Sequence, residues 1–168
     1  MRNLNEYVKK CMGILDDLSI PYGNVVKFKQ NSRAKRWGLC KRVAGGFEIQ
    51  INSCFLDERN DEKGLMNTIL HELIHTCDGC FNHGAKWQAY GEKVQNAYGY
   101  RISRTSTAEE KGLSADAISQ RLKRAKYTIT CSKCGTVFYR ERKSDVTEHP
   151  DHYRCGACHG MLEVHMNY

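Results

Sequence analysis

The sequence has no apolar run that approaches the roughly 18 residues a membrane span needs, so no membrane-spanning helix is expected. Residues Met1 to Ile14 carry charges at Arg2, Glu6, Lys9 and Lys10. They lack the apolar stretch and small-residue cleavage site of a signal peptide. A cytoplasmic location is expected, with the nucleoid as a place of association. There is no internal repeat and no low-complexity tract.

What is present suits a folded chain. Its 168 residues are 40% hydrophobic, enough for a real core. That length fits one fair-sized domain, or a domain of about 110 residues with a small module. Nine cysteines are present, at 11, 40, 54, 77, 80, 131, 134, 155 and 158. In a reducing compartment such a number argues for metal ligands rather than disulfides. The net charge is +7, and residues 101–143 hold eleven Lys/Arg against four acids, so the whole excess falls there. A polyanion partner is expected for that stretch.

Periodicity organises the chain. Leu4, Val8, Cys11, Met12 and Leu15 share one face of a predicted helix over 4–17, and Pro21-Tyr22-Gly23 interrupts it. Extended segments follow at 25–29, 37–42 and 47–51, with Gly45-Gly46 as a hairpin turn. Asp61 opens a helix over 62–77 whose Leu65, Met66, Ile69, Leu70, Leu73 and Ile74 imply burial. Another helix runs over 84–97 and stops at Gly99. Residues 101–112 read as a polar linker and 115–126 as a basic helix capped by Ser114. Cysteine pairs dominate from Tyr127 onward.

The chemistry begins at His71-Glu72-Leu73-Ile74-His75. With 3.6 residues per turn, His71 and His75 fall on one helical face and can share a metal. A catalytic zinc takes three protein ligands and leaves one position open. His83, beyond the Asp78-Gly79 break, is the candidate third ligand, and Gly84 permits close backbone approach. Such a metal lowers the pKa of its bound water to around 7. Glu72 is then the candidate general base and later the acid for the leaving amine.

Cys131-x-x-Cys134 and Cys155-x-x-Cys158 form a second constellation. Each pair can grip one side of a tetrahedral zinc, with Gly135 and Gly156 at the knuckle turns. Cys155-Gly-Ala-Cys158-His159 also matches c-type haem attachment, but that reading needs an exported protein and leaves the upstream pair unexplained. Cys77-Asp-Gly-Cys80 lacks the βαβ context of a redox motif and reads as one packed cysteine and one loop cysteine, with oxidation-linked regulation as the alternative.

These residues together resemble the SprT-like metallopeptidases, relatives of the Spartan protease domain. The resemblance rests on Asn31-Ser32-Arg33, Trp37-Gly38-Leu39-Cys40 and Phe47 through Asn52. It rests also on Thr68 through His75, on Asn82-His83-Gly84-Ala85-Lys86-Trp87, and on the ribbon from Tyr127 to Cys158. It implies an α+β, zincin-like minimal metalloprotease core with a small antiparallel sheet and an active-site helix, followed by a four-cysteine zinc ribbon. The expected divisions are a peptidase domain at 1–107, a basic linker and helix at 108–126, and the ribbon at 127–168.

The expected function is a zinc metalloendopeptidase acting on DNA-bound proteins, with a role in DNA–protein crosslink repair. Two zinc ions per chain are expected, one catalytic and one structural. The expected partners are protein substrates and single-stranded or duplex DNA, and a monomer is expected. Arg121, Lys123, Arg124 and Lys126 are the candidate DNA contacts, with Tyr127, Phe138, Tyr139 and Tyr153 available to stack on bases. The rival readings are a nucleic-acid-binding zinc protein without peptidase activity, and a peptidase whose ribbon serves only stability or autoinhibition.

Overall fold

The computed structural model describes residues 1–32 and 36–167, with only the backbone of Gln120 and Arg121. Arg33, part of the resemblance, lies outside the described residues. The chain divides into two compact units, Met1–Ala117 and Ile118–Tyr168. Among the described residues no helix is long and apolar enough to cross a membrane.

The first unit is mixed α and β. Helix α1 spans Leu4–Asp17, capped by the Asn3 side chain, which accepts from the Asn5 amide. It buries Leu4, Tyr7, Val8, Cys11, Ile14 and Leu15, while Met12 stays at the edge of that face. Three strands follow: β1 (Val25–Asn31), β2 (Gly38–Val43) and β3 (Gly46–Asn52), in the order β1-β3-β2. The sheet is not wholly antiparallel as expected. β2 and β3 form an antiparallel hairpin, but β1 pairs with β3 in parallel. β2 and β1 flank β3 on opposite edges, and the hairpin reverses the chain between β2 and β3, so β3 runs against β2 and with β1. Val43 pairs with Gly46, so the tight turn is Ala44-Gly45, with Gly45 at φ 81°.

Alternation along β3 divides the sheet. Ile49 and Ile51 enter the core, while Glu48 and Gln50 face the other way. There Glu48 pairs with Lys29 and Lys41, and the Lys29 ammonium together with the Gln50 amide holds its carboxyl down to about 2.

Helix α2 (Glu62–Ile74) is the centre of this unit. It starts at Asp61, whose carboxylate accepts from the Lys63 amide at 2.9 Å. Leu65, Met66, Ile69, Leu70, Leu73 and Ile74 are buried as their spacing predicts, and so are Gly64, Thr68 and Glu72 on the remaining face. A helix covered all round is a core helix. Helix α3 (Ala85–Tyr98) buries Trp87, Gly91 and Val94 and ends at Gly99 in the left-handed conformation.

The segment expected as a linker is part of this unit. Ile102, Lys111 and Leu113 are buried, and the carbonyl of Gly112 accepts the Asp61 amide at 2.8 Å. Apolar anchors at 102 and 113 and backbone hydrogen bonds outweigh the polar composition between them. Helix α4 (Ala115–Leu122) is shorter than expected, and the unit boundary falls within it. Lys123 and Arg124 lie in the turn that follows, and the Lys126 amide already bonds to Arg140 of the ribbon sheet.

The second unit is a three-stranded antiparallel sheet of β4 (Tyr127–Cys131), β5 (Val137–Arg140) and β6 (Leu162–Met166), in the order β5-β4-β6. A short helix α5 (Asp145–Glu148), capped by Ser144, stands between β5 and β6. Ile129 faces Phe138 on one neighbour and Val164 on the other, a small apolar layer.

Gly64 tests the packing around α2. Alanine in a helix interior ordinarily stabilises relative to glycine by about 0.5–1 kcal/mol. Here a Cβ would fall well under 3 Å from the Lys111 carbonyl oxygen. Gly64→Ala is therefore expected to destabilise by about 1–3 kcal/mol, measured by denaturant unfolding. A variant as stable as the parent would mean that the 107–113 segment is not docked there.

Candidate metal centre

His71 lies in the last turn of α2, and His75 is its C-cap, still with helical dihedrals. One turn of helix stacks the two imidazoles on one side. The chain then reverses through Cys77–Cys80, where the Cys80 amide bonds to the Cys77 carbonyl at 3.0 Å and Gly79 takes φ +72°. The reversal returns His83 over the other two. The Nε2 atoms stand 3.2 Å (His71–His75), 3.2 Å (His75–His83) and 3.1 Å (His71–His83) apart. Three nitrogens bound tetrahedrally at about 2.0–2.1 Å would stand roughly 3.3–3.4 Å apart. The triangle therefore fits one zinc-sized ion, with the fourth position open.

Each imidazole is prepared for that role. The Nδ1 of His75 lies 2.9 Å from the Cys80 carbonyl, and a carbonyl only accepts, so Nδ1 carries the proton and Nε2 keeps its lone pair. The Ser103 carbonyl does the same for His71. Trp87, 2% exposed, lies among all three rings at centroid distances of 4.6–5.5 Å. Burial, then the neighbouring imidazoles, pushes His71 down to about 3, and burial lowers His75 and His83 as well. The three are neutral near pH 7, as metal ligands must be.

Glu72 sits beside His71 and is 6% exposed. Strand β2 closes over it. A Cβ on Gly38 would fall well under 3 Å from its carboxyl, and the Cys40 amide donates to it. Burial pushes the carboxyl up to about 8, while the Lys111 ammonium, the Cys40 amide and Arg36 act in the opposite sense. A cation at the three imidazoles would also favour the carboxylate.

In the second unit the four cysteines converge. Cys131 and Cys158 sulfurs lie 3.5 Å apart and Cys134 and Cys155 3.7 Å, with all four within 4.8 Å of one another. Zinc–sulfur bonds of about 2.3 Å in a tetrahedron place sulfurs roughly 3.8 Å apart. The Thr136 hydroxyl and amide hold Cys134 down to about 6, toward the thiolate a metal needs. One glycine expectation fails here. Gly135 takes φ 69°, but the matching left-handed position in the second knuckle is His159 at φ 57°, not Gly156. Both residues follow the second cysteine of their pair, and each amide bonds back to the carbonyl of the first, at 3.0 and 2.8 Å.

The SprT-like family model matches residues 6–108. The chain belongs to the SprT-like family. It is also 28% identical over 144 residues to Protein SprT-like of Lactococcus lactis subsp. lactis (strain IL1403), covering 80% of this chain and 83% of that protein. The family match spans α2, the three imidazoles and Glu72, while the four cysteines lie beyond it.

In this SprT-like chain the two metal-ligand sets singled out in the sequence are each brought together. Lys123, Arg124 and Lys126 are exposed, and the Arg121 side chain lies outside the described residues. Tyr139 is exposed at 46%, whereas Phe138 belongs to the apolar layer. Missed by sequence reasoning were the Ser103 and Cys80 carbonyls, the Gly38 wall and Lys111. Backbone carbonyls leave no trace in residue identity. Trp87, in the first turn of α3 and four residues after His83, was visible in the sequence only as part of the resemblance and not as a packing partner of the imidazoles.

The lowered imidazoles set a pH dependence. Histidine in the unfolded chain titrates near 6.5, and His71 in the fold near 3. Between these values the unfolded state binds more protons, so stability falls as pH falls. The metal-free chain is expected to lose melting temperature progressively from about pH 6.5 toward pH 4, and His71→Asn should flatten that loss. A slope unchanged by the substitution would remove the buried neutral imidazole as its cause.

Proposed function

We propose that this SprT-like chain is a zinc-dependent endopeptidase that acts on DNA-bound proteins, with a role in DNA–protein crosslink repair. The observation that carries the reading is the triangle of three Nε2 atoms with the buried Glu72 carboxyl beside it. His71, His75 and His83 would hold the ion. A bound zinc ion supplies Lewis acidity, bringing a water's pKa toward 7 and polarising a peptide carbonyl. Glu72 then takes the water's proton on its carboxylate and delivers it to the departing amine. Gly38 and the Cys40 amide fix where that carboxylate stands.

A purely structural site would gain nothing from a buried acid at this place, since burying a charge costs stability. That argument favours the peptidase over a nucleic-acid-binding protein with two structural metals. Cys131, Cys134, Cys155 and Cys158 would hold the second zinc, with no position left open for catalysis.

The DNA part of the reading rests on the resemblance to Spartan-type domains and on exposed charge. Lys123, Arg124 and Lys126 are exposed with no acid among them, and Tyr139 offers an exposed ring on the outer face of the ribbon sheet. Together they suit a phosphate backbone with a base stacked nearby.

Metal analysis should return two zinc ions per chain. Glu72→Gln should keep both and abolish cleavage of a DNA-bound basic protein, because the amide cannot accept the water's proton. His83→Ala should lose one zinc and the activity together. Retention of cleavage in Glu72→Gln would end the assignment of Glu72 as general base.

Changing Arg121, Lys123, Arg124 and Lys126 to Gln should weaken DNA binding and flatten the slope of log affinity against log salt, by about 0.9 for each phosphate that is no longer neutralised. Cleavage of an unstructured peptide should persist. An unaltered affinity and slope would remove this cluster from the DNA interface.

A further inference from the structure

Lys111 belongs to the basic excess of residues 101–143, but it is 6% exposed and so is not surface charge. It lies three residues beyond the stretch that the family model matches. It belongs to a compact turn held by Lys111 N–H to Thr107 O at 3.2 Å, Gly112 N–H to Glu109 O at 2.8 Å and Leu113 N–H to Ala108 O at 3.1 Å. The turn is tied to the start of α2 through the bond between Asp61 and Gly112, with Gly112 in the left-handed conformation.

Gly64, Thr68 and Glu72 succeed one another at intervals of four, so they form one row along α2. The Lys111 carbonyl rests on Gly64, where the missing side chain leaves room. Its Nζ donates to the Thr68 hydroxyl at 3.1 Å, and that hydroxyl donates its own proton to the Gly64 carbonyl at 2.8 Å. The next residue of the row is Glu72.

An ammonium has three donors, and among the described residues Thr68 is the one acceptor Lys111 finds. A buried cation needs a compensating anion. Burial lowers the Lys111 ammonium to about 8, and two carboxylates oppose that shift, Glu72 first and Glu110 second. Glu110 is exposed and paired with Arg101 at 3.1 Å, whereas Glu72 is buried one helical turn beyond Thr68 on the same row, without a direct ion pair to Lys111.

We propose that Lys111 is a positioning residue, whose buried ammonium, anchored on the Thr68 hydroxyl, favours and orients the Glu72 carboxylate one turn further along the Gly64–Thr68–Glu72 row. Glu72 is then fixed from two sides, by Gly38 and the Cys40 amide of β2 and by Lys111. The catalytic meaning of this arrangement rests on the peptidase reading, but the pairing itself does not.

The test uses the zinc-loaded full chain as wild type, Lys111→Met, Lys111→Arg, Glu72→Gln and the double variant Lys111→Met/Glu72→Gln. Thermal unfolding of this cycle requires no activity. Lys111→Met is expected to lower the melting temperature by about 4 °C or more in the parent, and by much less in the Glu72→Gln background. Equal losses in both backgrounds would overturn the pairing. Should Lys111→Met not fold, recovery of folding in the double variant supports the proposal and failure there overturns it.

In the cleavage assay Lys111→Met should lower kcat by about 10- to 100-fold, with KM and zinc content retained and part of the rate restored in Lys111→Arg. A parental kcat in Lys111→Met would overturn the positioning role. A wild-type chain that cleaves nothing would defeat the peptidase reading while leaving the stability cycle to decide the pairing.

Discussion

Three imidazole nitrogens within 3.2 Å of one another are the constraint on which the first unit is built. Without a cation this is an unfavourable arrangement, because the lone pairs point at one place and burial denies them water. Carbonyls at Ser103 and Cys80 aim two of the rings, and Trp87 fills the space between all three. None of these groups could be satisfied by an isolated helix carrying the five-residue motif. The site exists because α2, the reversal after His75, the start of α3 and the strand residue Gly38 meet at one end of a core helix.

The same helix explains why polar groups sit so deep. Leu65, Ile69, Leu70 and Leu73 bury one broad side, and the remaining row is covered at Gly64 and Thr68 by the turn that carries Lys111 and at Glu72 by Gly38 of β2. Covering a carboxyl in this way is unfavourable unless hydrogen bonds and opposite charge compensate it. Glu72 is given both, in the Cys40 amide and the ammonium. In the proposed role of general base Glu72 needs a fixed carboxylate within reach of the proton it takes, and the interactions that make its burial tolerable would also supply that fixation.

Much of this was legible in the residues. The periodicity of α1 and α2 was readable because each buries a stripe of large side chains over three or four turns, while α3 was readable from the Gly84 and Gly99 that bound it. Both clusters that could hold a metal were readable because ligand chemistry restricts residue type and spacing together. The parallel pairing of β1 was not, since strand direction depends on the path of the chain and leaves no local pattern. The docking of residues 101–113 was hidden by polarity, because two apolar anchors so far apart, Ile102 and Leu113, give no period. Lys111 was read as surface charge for the same reason. A lysine shows its sequence neighbours, not the glycine and threonine of a distant helix that make room for it and accept its proton.

The second unit is stabilised differently. Its apolar layer is little more than Ile129, Phe138 and Val164, too small to hold a sheet of this size alone. The four converging sulfurs offer what is missing, since a tetrahedral zinc held there would contribute about 10–16 kcal/mol in apparent binding energy. With that anchor, local rules can be relaxed. His159 occupies a left-handed position that glycine would fill more easily, and Tyr139 and Val137 stand exposed on the outer face. A module that drew its stability from metal ligation would not need to commit its few large side chains to a core, which is consistent with Tyr139 and Val137 standing exposed.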